Sequence, residues 1–325
     1  MKATARAPAN IAFIKYWGKA DDELRLPLND SISMNLSGAY TVTTVEFSQH
    51  FQKDTVAFLG GEFSEAETAR VIKGLDLIRK RAGSAQKATV VTKNTFPKGA
   101  GSAASASGFA ALTLAGFASL GVTMPEKELT IFARMGSGSA CRSIPDGFVI
   151  WEKGDSSETS FAWSLYPPTH WDIRDILVIV DSHMKKVSTT EGMETVATSP
   201  RLAVRLRAVP KRMKEIQQAI AGRNFSRFGE ITEEDCLGMH MVMQTQDPPL
   251  FYWNATTKII MDAVRGWRKH GLPVYFTIDA GPNVHLLCEG KDEERLLAAV
   301  KTIDGIEDII VNKPALGARI ISEHL

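Results

Sequence analysis

Residues 40–47 (Tyr-Thr-Val-Thr-Thr-Val-Glu-Phe) alternate between apolar and polar side chains, and β-branched residues dominate, so a strand is predicted there. Further strands are expected at 55–59 and 87–92. Between them, Val71, Leu75 and Ile78 recur at helical spacing within 65–81. Residues 103–120 read as an alanine-rich helix behind a glycine-bearing loop, and 125–135 as another helix. After the turn Pro145-Asp146-Gly147, a strand is expected at 148–151, and the apolar run 175–180 predicts a buried strand that opens a second unit. Helices at 199–221, 226–244 and 255–270 follow, then strands at 273–279 and 284–288, a helix at 291–302 and a strand near 307–311. Strands and helices that mix without strict βαβ alternation predict an α+β chain in two halves joined near 170–185. Within 199–221, Leu202, Val204, Leu206, Val209, Met213 and Ile216 suit core contacts, with a dimer surface as the other use.

Composition narrows the function classes. With 44% hydrophobic and 23% charged residues among 325, the chain can build a core and is not disordered. Lys plus Arg number 38 against 37 Asp plus Glu, so no basic excess points to nucleic acid, and an anionic ligand must be held by local positive groups. No uninterrupted apolar stretch is long enough to span a membrane, and the N-terminus lacks a signal-peptide run. Cys141, Cys236 and Cys288 form no metal or disulfide pattern, and the seven histidines lack metal-ligand spacing. A cytoplasmic location is the expectation.

Four segments can carry chemistry. In 97–108 (Pro-Lys-Gly-Ala-Gly-Ser-Ala-Ala-Ser-Ala-Ser-Gly), glycines ahead of a helix N-terminus suit a phosphate, with hydroxyls at Ser102, Ser105 and Ser107 for phosphate oxygens or magnesium. Tight packing of a small-residue helix on a sheet explains the same letters equally well. In 136–143 (Gly-Ser-Gly-Ser-Ala-Cys-Arg-Ser), Arg142 can grip a carboxylate or phosphate with two parallel hydrogen bonds, although a solvated turn arginine is commoner. Asp279, in the Asp-Ala-Gly-Pro-Asn turn behind a strand, can accept a hydroxyl proton or merely cap that turn. Lys15 and Lys19 in Lys-Tyr-Trp-Gly-Lys can hold a polyanion beside an apolar wall, or be solvated around a buried Trp17. For Arg70 a solvated helix face, and for 188–193 a helix cap, are the plainer explanations.

Taken together, Asn10-Ile-Ala, Lys15-Tyr-Trp-Gly-Lys19, Asn29-Asp-Ser-Ile-Ser33, the 97–108 loop, Gly136-Ser-Gly-Ser-Ala-Cys-Arg142 and Asp279-Ala-Gly-Pro-Asn283 resemble the mevalonate diphosphate decarboxylases of the GHMP kinase superfamily. The segments follow family order over nearly the whole chain. The resemblance implies an α+β, two-lobed GHMP kinase fold: a ribosomal-S5-like N-terminal lobe over 1–180 and a ferredoxin-like C-terminal lobe over 181–325, with the site in the cleft between them. It implies ATP and magnesium, a small-molecule substrate and a homodimer. By position, Asp279 matches the acid beside the substrate's 3-hydroxyl, Arg142 the residue that grips the C1 carboxylate, and Asn10 the residue that positions that arginine. Ser137 and Ser139 match residues at the substrate's phosphate and carboxylate ends. Tyr16, Lys19, Arg70 and Thr189 match the binders of the 5-phosphate tail, with Lys15 nearby. Asn94 falls near the adenine pocket, Ser105 on the phosphate-loop serine and magnesium ligand, and Lys98, Gly99, Gly101, Ser102 and Ser107 on the rest of the loop.

That loop departs from the family's usual Pro-Thr-Ala-Ala-Gly-Leu-Ala-Ser-Ser, because Lys98 stands for threonine, Ser102 for leucine and Ala104 for a serine. The expected reaction is therefore ATP-dependent decarboxylation of mevalonate 5-diphosphate or of mevalonate 5-phosphate. Two other outcomes on the same fold are a 3-kinase that stops before decarboxylation and a non-catalytic ligand sensor. Each of these predicts loss of Asp279 or of the Arg142 constellation, and both are present.

Overall fold

The computed structural model describes residues 1–97, 103–183 and 187–325. In chain order the first lobe holds β1 (Lys2–Ile14), β2 (Lys19–Asp21), β3 (Leu26–Pro27), β4 (Ser31–Ser48), β5 (Thr55–Phe58), α1 (Glu65–Ala82), β6 (Lys87–Asn94), α2 (Ala103–Ser119), α3 (Glu126–Gly136), β7 (Phe148–Trp151) and β8 (Ala162–Tyr166). The second holds β9 (Ile173–Ile179), α4 (Thr189–Glu194), α5 (Leu202–Ala221), α6 (Phe225–Thr245), α7 (Ala255–Lys269), β10 (Tyr275–Ile278), β11 (Val284–Glu289), α8 (Glu293–Val300) and β12 (Asp308–Asn312). The last strand, β13 (Arg319–Ile321), returns to the first sheet and pairs with β1. Sheet membership thus changes between β8 and β9, that is, between Tyr166 and Ile173.

The first sheet runs β13-β1-β4-β6-β5, with β7 on β4 and β8 on β7. Its pairings are antiparallel except β5 with β6. β4 is long enough to serve two neighbours: Ser31–Met34 pair with β7, while Thr41–Ser48 pair with β6. β1 shows little alternation because its residues from Ala7 to Ile14 are all buried. Alanines on α2 (Ala110, Ala111, Ala115) meet Ala5 and Ala7 of β1, so helix and sheet approach closely. On α1 the expected stripe is Leu75 and Ile78, both in that core; burying each contributes roughly 1.5–3 kcal/mol. The helix starts at Ser64, which exchanges hydrogen bonds with Glu67, and ends at Gly83 with φ +63°.

The second sheet, β10-β11-β9-β12, is antiparallel throughout. α6 lies directly on it: a Cβ on Gly229 would stand 2.0 Å from the Tyr275 ring. On α5, Val209, Met213 and Ile216 are buried in the core expected of them, whereas Val204 is exposed. One core joins the lobes, with Phe13 of β1 edge-on to Phe228 of α6 at 4.7 Å. The α+β, two-lobed arrangement is the one expected. No helix among the described residues is long and apolar enough to cross a membrane.

Candidate active site

A cavity of about 320 Å³ opens between the lobes. Its first-lobe wall includes Lys15, Tyr16, Arg25, Arg70, Asn94, Ser105, Ser137, Ser139 and Arg142. The second lobe contributes Thr189, Met193, Met239 and Asp279. The chain carries a formal net charge of only +1. Yet among the described residues the charged groups in this wall are Lys15, Arg25, Arg70 and Arg142 against Glu67 and Asp279. The positive character is local, as anion binding in a near-neutral protein requires.

Asp279 follows β10 in a turn fixed from two sides. Asn283 Oδ1 accepts from the backbone N–H of Val180 and Asp181 at 2.8 and 3.1 Å, and Thr257 Oγ1 donates to the Pro282 carbonyl at 2.6 Å. Lys15 Nζ lies 2.6 Å from Asp279 Oδ1. Burial alone would push this carboxyl up, but Lys15, His285 and Arg142 outweigh it and bring the pKa down to about 2. Lys15, expected near the phosphate tail, is therefore the partner of the acid, because the end of β1 points its side chain at the β10 turn. Its backbone is held just as firmly. Lys15 N–H donates to Asp235 Oδ2 at 2.7 Å, and its carbonyl accepts from Asn29 Nδ2 and Arg205 Nη2 at 3.0 and 2.9 Å. Arg205 and Asp235 form a buried ion pair at 2.9 Å.

Arg142 sits on the 3-10 turn Gly138–Ser143 behind α3. Its Nε donates to Asn10 Oδ1 at 3.2 Å and its Nη1 to Ser31 Oγ at 2.7 Å. Asn10 in turn donates to the Ser139 carbonyl at 3.2 Å and to Ser143 Oγ at 2.8 Å, so it fixes both the arginine and the turn that carries it. Burial pulls the guanidinium's pKa down, and among the described residues it forms no ion pair. A buried cation held by neutral partners is completed by an anion. The Ser31 contact lies within a segment the sequence singled out without giving that serine a role.

Farther along the wall, Arg70 of α1 donates from Nε and Nη2 to the Gly136 carbonyl at 3.1 and 3.0 Å and stacks over Phe109. Burial, then the charge of Arg25, lower its pKa to about 10. Tyr16 packs edge-on to Trp151 at 4.7 Å, and burial pushes its phenol up. A Cβ on Gly138 would fall 2.8 Å from the Tyr16 ring, so only glycine lets the two segments meet. Ser105 Oγ and Ser137 Oγ approach to 3.1 Å, which joins the start of α2 to the end of α3. Thr189 opens α4, whose cap is Ser188 with Glu191, as the plainer reading of that stretch had it.

Two expected residues are used elsewhere. Lys19 is ion-paired with Asp22 and does not line the cavity, because β2 turns it toward its own hairpin. Ser107 is fully buried, 2.6 Å from Thr41 Oγ1, on the face of α2 that packs against the sheet. Lys98, Gly99, Gly101 and Ser102 lie outside the described residues. Asn94 does line the cavity, with Oδ1 accepting from Thr41 Oγ1 at 2.8 Å. Near it the wall is apolar: Phe58 and Phe63 stack at 5.2 Å beside Val71 and Val90. Neither phenylalanine stands out in the sequence, since each is a single aromatic, Phe58 at the end of β5 and Phe63 in the connection to α1.

Magnesium prefers oxygen ligands and keeps several waters or phosphate oxygens. In the described wall the carboxylates are engaged, Asp279 by Lys15 and Glu67 by the Ser64 cap, while Ser105 and Ser137 offer hydroxyls. That donor set fits an ion carried largely on phosphate oxygens. A separate cluster, Asp181, His183 and Glu307, brings possible ligand atoms within 4.8 Å at the surface, and none of the three lines the cavity. No spacing signal marks it along the chain, because Glu307 lies far from Asp181 and His183 in sequence.

Comparison with known proteins points in one direction. Residues 7–162 match the diphosphomevalonate decarboxylase-like N-terminal domain, and 176–314 match the mevalonate 5-diphosphate decarboxylase C-terminal domain. A diphosphomevalonate decarboxylase of Candida albicans is 37% identical over 314 residues, covering 91% of this chain and 86% of the relative. Among solved structures, "MDDEF in complex with MVAPP, AMPPCP and Magnesium" superposes with a TM-score of 0.94 at 39% identity, covering 99% of both chains. Mevalonate diphosphate decarboxylase from Staphylococcus aureus gives 0.94 at 38% identity, covering 99% of this chain and 98% of the other.

Proposed function

The chain belongs to the diphosphomevalonate decarboxylase family, and on that premise we propose that it converts mevalonate 5-diphosphate and ATP to isopentenyl diphosphate, ADP, phosphate and carbon dioxide, for isoprenoid biosynthesis. The observation that carries this reading is the meeting of the Lys15–Asp279 pair with the anion-seeking Arg142 in one cavity. A sensor has no need of either.

Asp279 is a carboxylate at neutral pH, so it accepts a hydrogen bond from the tertiary hydroxyl and points that oxygen at the γ-phosphorus. A pKa near 2 makes it a weak base. This suits phosphoryl transfer, in which positioning and charge neutralisation count for more than early proton removal. The proton passes to Asp279 Oδ as the new O–P bond forms and the bond from the γ-phosphorus to the bridging oxygen breaks, its electron pair leaving on ADP. Ser105, together with phosphate oxygens, would hold magnesium, which would supply charge neutralisation at the phosphates. The C3–O bond then breaks with its electron pair leaving on phosphate. The C1–C2 pair becomes the C2=C3 π bond as carbon dioxide departs. Arg142 holds the C1 carboxylate in line without protonating it, because a guanidinium stays charged. Asn10 and Ser31 fix that fork, and the Asn94, Phe58 and Phe63 region offers an apolar slot for adenine.

The diphosphate is preferred over the monophosphate because Arg70 and Arg25 bring two guanidiniums to the tail end of the cavity. The reading keeps a cytoplasmic homodimer, with the buried, unpaired Cys141, Cys236 and Cys288 suiting a reducing compartment. Purified protein with ATP and magnesium, offered mevalonate, its 5-phosphate and its 5-diphosphate in parallel, should release carbon dioxide fastest from the diphosphate. A faster reaction on the monophosphate would reverse the choice of tail, and silence on all three would leave a sensor.

A further inference from the structure

Arg25 enters the reading above only as a second positive charge at the tail end of the cavity, and its placement is built. It sits in the turn between β2 and β3 with φ +52°, a left-handed backbone that glycine or asparagine adopts far more readily than arginine. The turn is pinned from below. Leu24 N–H donates to Asp21 Oδ1 at 2.7 Å, and the Leu24 carbonyl accepts from Nε of the fully buried Arg134 at 3.0 Å. Arg25 Nε then donates to the Met135 carbonyl at 3.0 Å, beside the Gly136 carbonyl that receives Arg70. Consecutive carbonyls at the end of α3 therefore hold two guanidiniums against one stretch of cavity wall. Among the described residues neither arginine forms an ion pair. Like charges are kept together at a strained position, and an anion with oxygens enough for both would relieve the repulsion.

We propose that Arg25 is a specificity-determining residue that shares the outer phosphoryl group of the substrate's tail with Arg70, and so lets the enzyme distinguish a diphosphate from a monophosphate. The inference rests on the tail-binding reading given above and adds the residue that measures tail length. A monophosphate reaches one guanidinium and a diphosphate engages both.

The test compares wild type with Arg25→Asn, since asparagine tolerates the left-handed turn, and with Arg25→Lys, which keeps the charge without the fork. KM and kcat are measured for mevalonate 5-diphosphate and mevalonate 5-phosphate. In Arg25→Asn, KM for the diphosphate should rise about tenfold, with kcat within about twofold and KM for the monophosphate unmoved. Arg25→Lys should fall between. Equal changes on both substrates, or none, would overturn the role of Arg25 while leaving the decarboxylase reading intact. Carbon dioxide from neither substrate with wild type would overturn both.

Discussion

Replacing Lys15 by methionine keeps an unbranched side chain one atom shorter and removes the charge opposite Asp279. The pair is 2.6 Å apart, with the lysine side chain 2% and the aspartate side chain 22% exposed. The fall of the Asp279 pKa from 3.8 to about 2 amounts to roughly 2 kcal/mol at ~1.4 kcal/mol per unit, after the opposing cost of burial. A folded-state pKa below the unfolded one gives stability that is fully present above about pH 4 and lost as pH falls toward 2. In Lys15→Met, burial acts with one fewer opposing cation, so the pKa rises and that stabilisation vanishes. Breaking a buried pair costs on the order of 3–5 kcal/mol, which urea unfolding at pH 7 reads directly. The kinetic consequence is more specific. The wild-type kcat profile should show no acid limb from Asp279 down to the lowest pH at which the protein stays folded. The variant should lose carbon dioxide release as pH falls through a limb displaced upward by about one unit or more. A variant whose acid limb coincides with that of wild type would refute the assignment of Lys15 as the group that keeps Asp279 ionised.

Other perturbations follow the same geometry. Asn10→Ala removes the acceptor of Arg142 Nε and the donor to the Ser139 carbonyl, and should lower kcat about 10- to 100-fold with a smaller change in the KM for ATP. Asp235→Asn weakens the contacts to Arg205, Arg212 and the Lys15 N–H, and should cost several kcal/mol in chemical denaturation, on the order of 3–5 for a buried pair left uncompensated. Gly229→Ala would place a Cβ 2.0 Å from the Tyr275 ring, and should destabilise by about 1–3 kcal/mol through displacement of α6, read as a lowered Tm. The three cysteines are buried with thiols pushed up to about 12 (Cys141), 11 (Cys236) and 12 (Cys288), so a thiol reagent at pH 8 should label the protein only after unfolding.

Elements whose pattern is local were legible in the sequence. The Leu75 and Ile78 stripe gave α1, the β-branched alternation gave the second half of β4, and the run at 148–151 gave β7. β1 and the first half of β4 escaped because both faces are buried and small or polar residues (Pro8, Asn10, Asn35) interrupt the alternation. β8 and β13 are short, and their pairing is set by the sheet rather than by their own residues. Within the site, Asp279 and Arg142 are open candidates from their own segments, and the family resemblance is what singles them out together with Asn10. Arg25 and Ser31 were not legible as site residues, since each meets its partner about a hundred residues away in sequence. Lys19 and Ser107 show the converse. A motif names a residue type, but the hairpin that ties Lys19 to Asp22 and the helix face that turns Ser107 to Thr41 decide where the side chain goes.

A single turnover shows whether Asp279 and Arg142 couple phosphorylation of the tertiary hydroxyl to loss of carbon dioxide in one cavity. Wild type and Asp279→Asn, each in excess over mevalonate 5-diphosphate with ATP and magnesium, are quenched over time and both ADP and carbon dioxide are counted. Wild type should give the two products in equal amounts and the variant neither, the loss of charge at the hydroxyl stopping the first step. ADP without carbon dioxide from wild type would show that the two steps are not coupled, and undiminished carbon dioxide from Asp279→Asn would remove Asp279 from the first step.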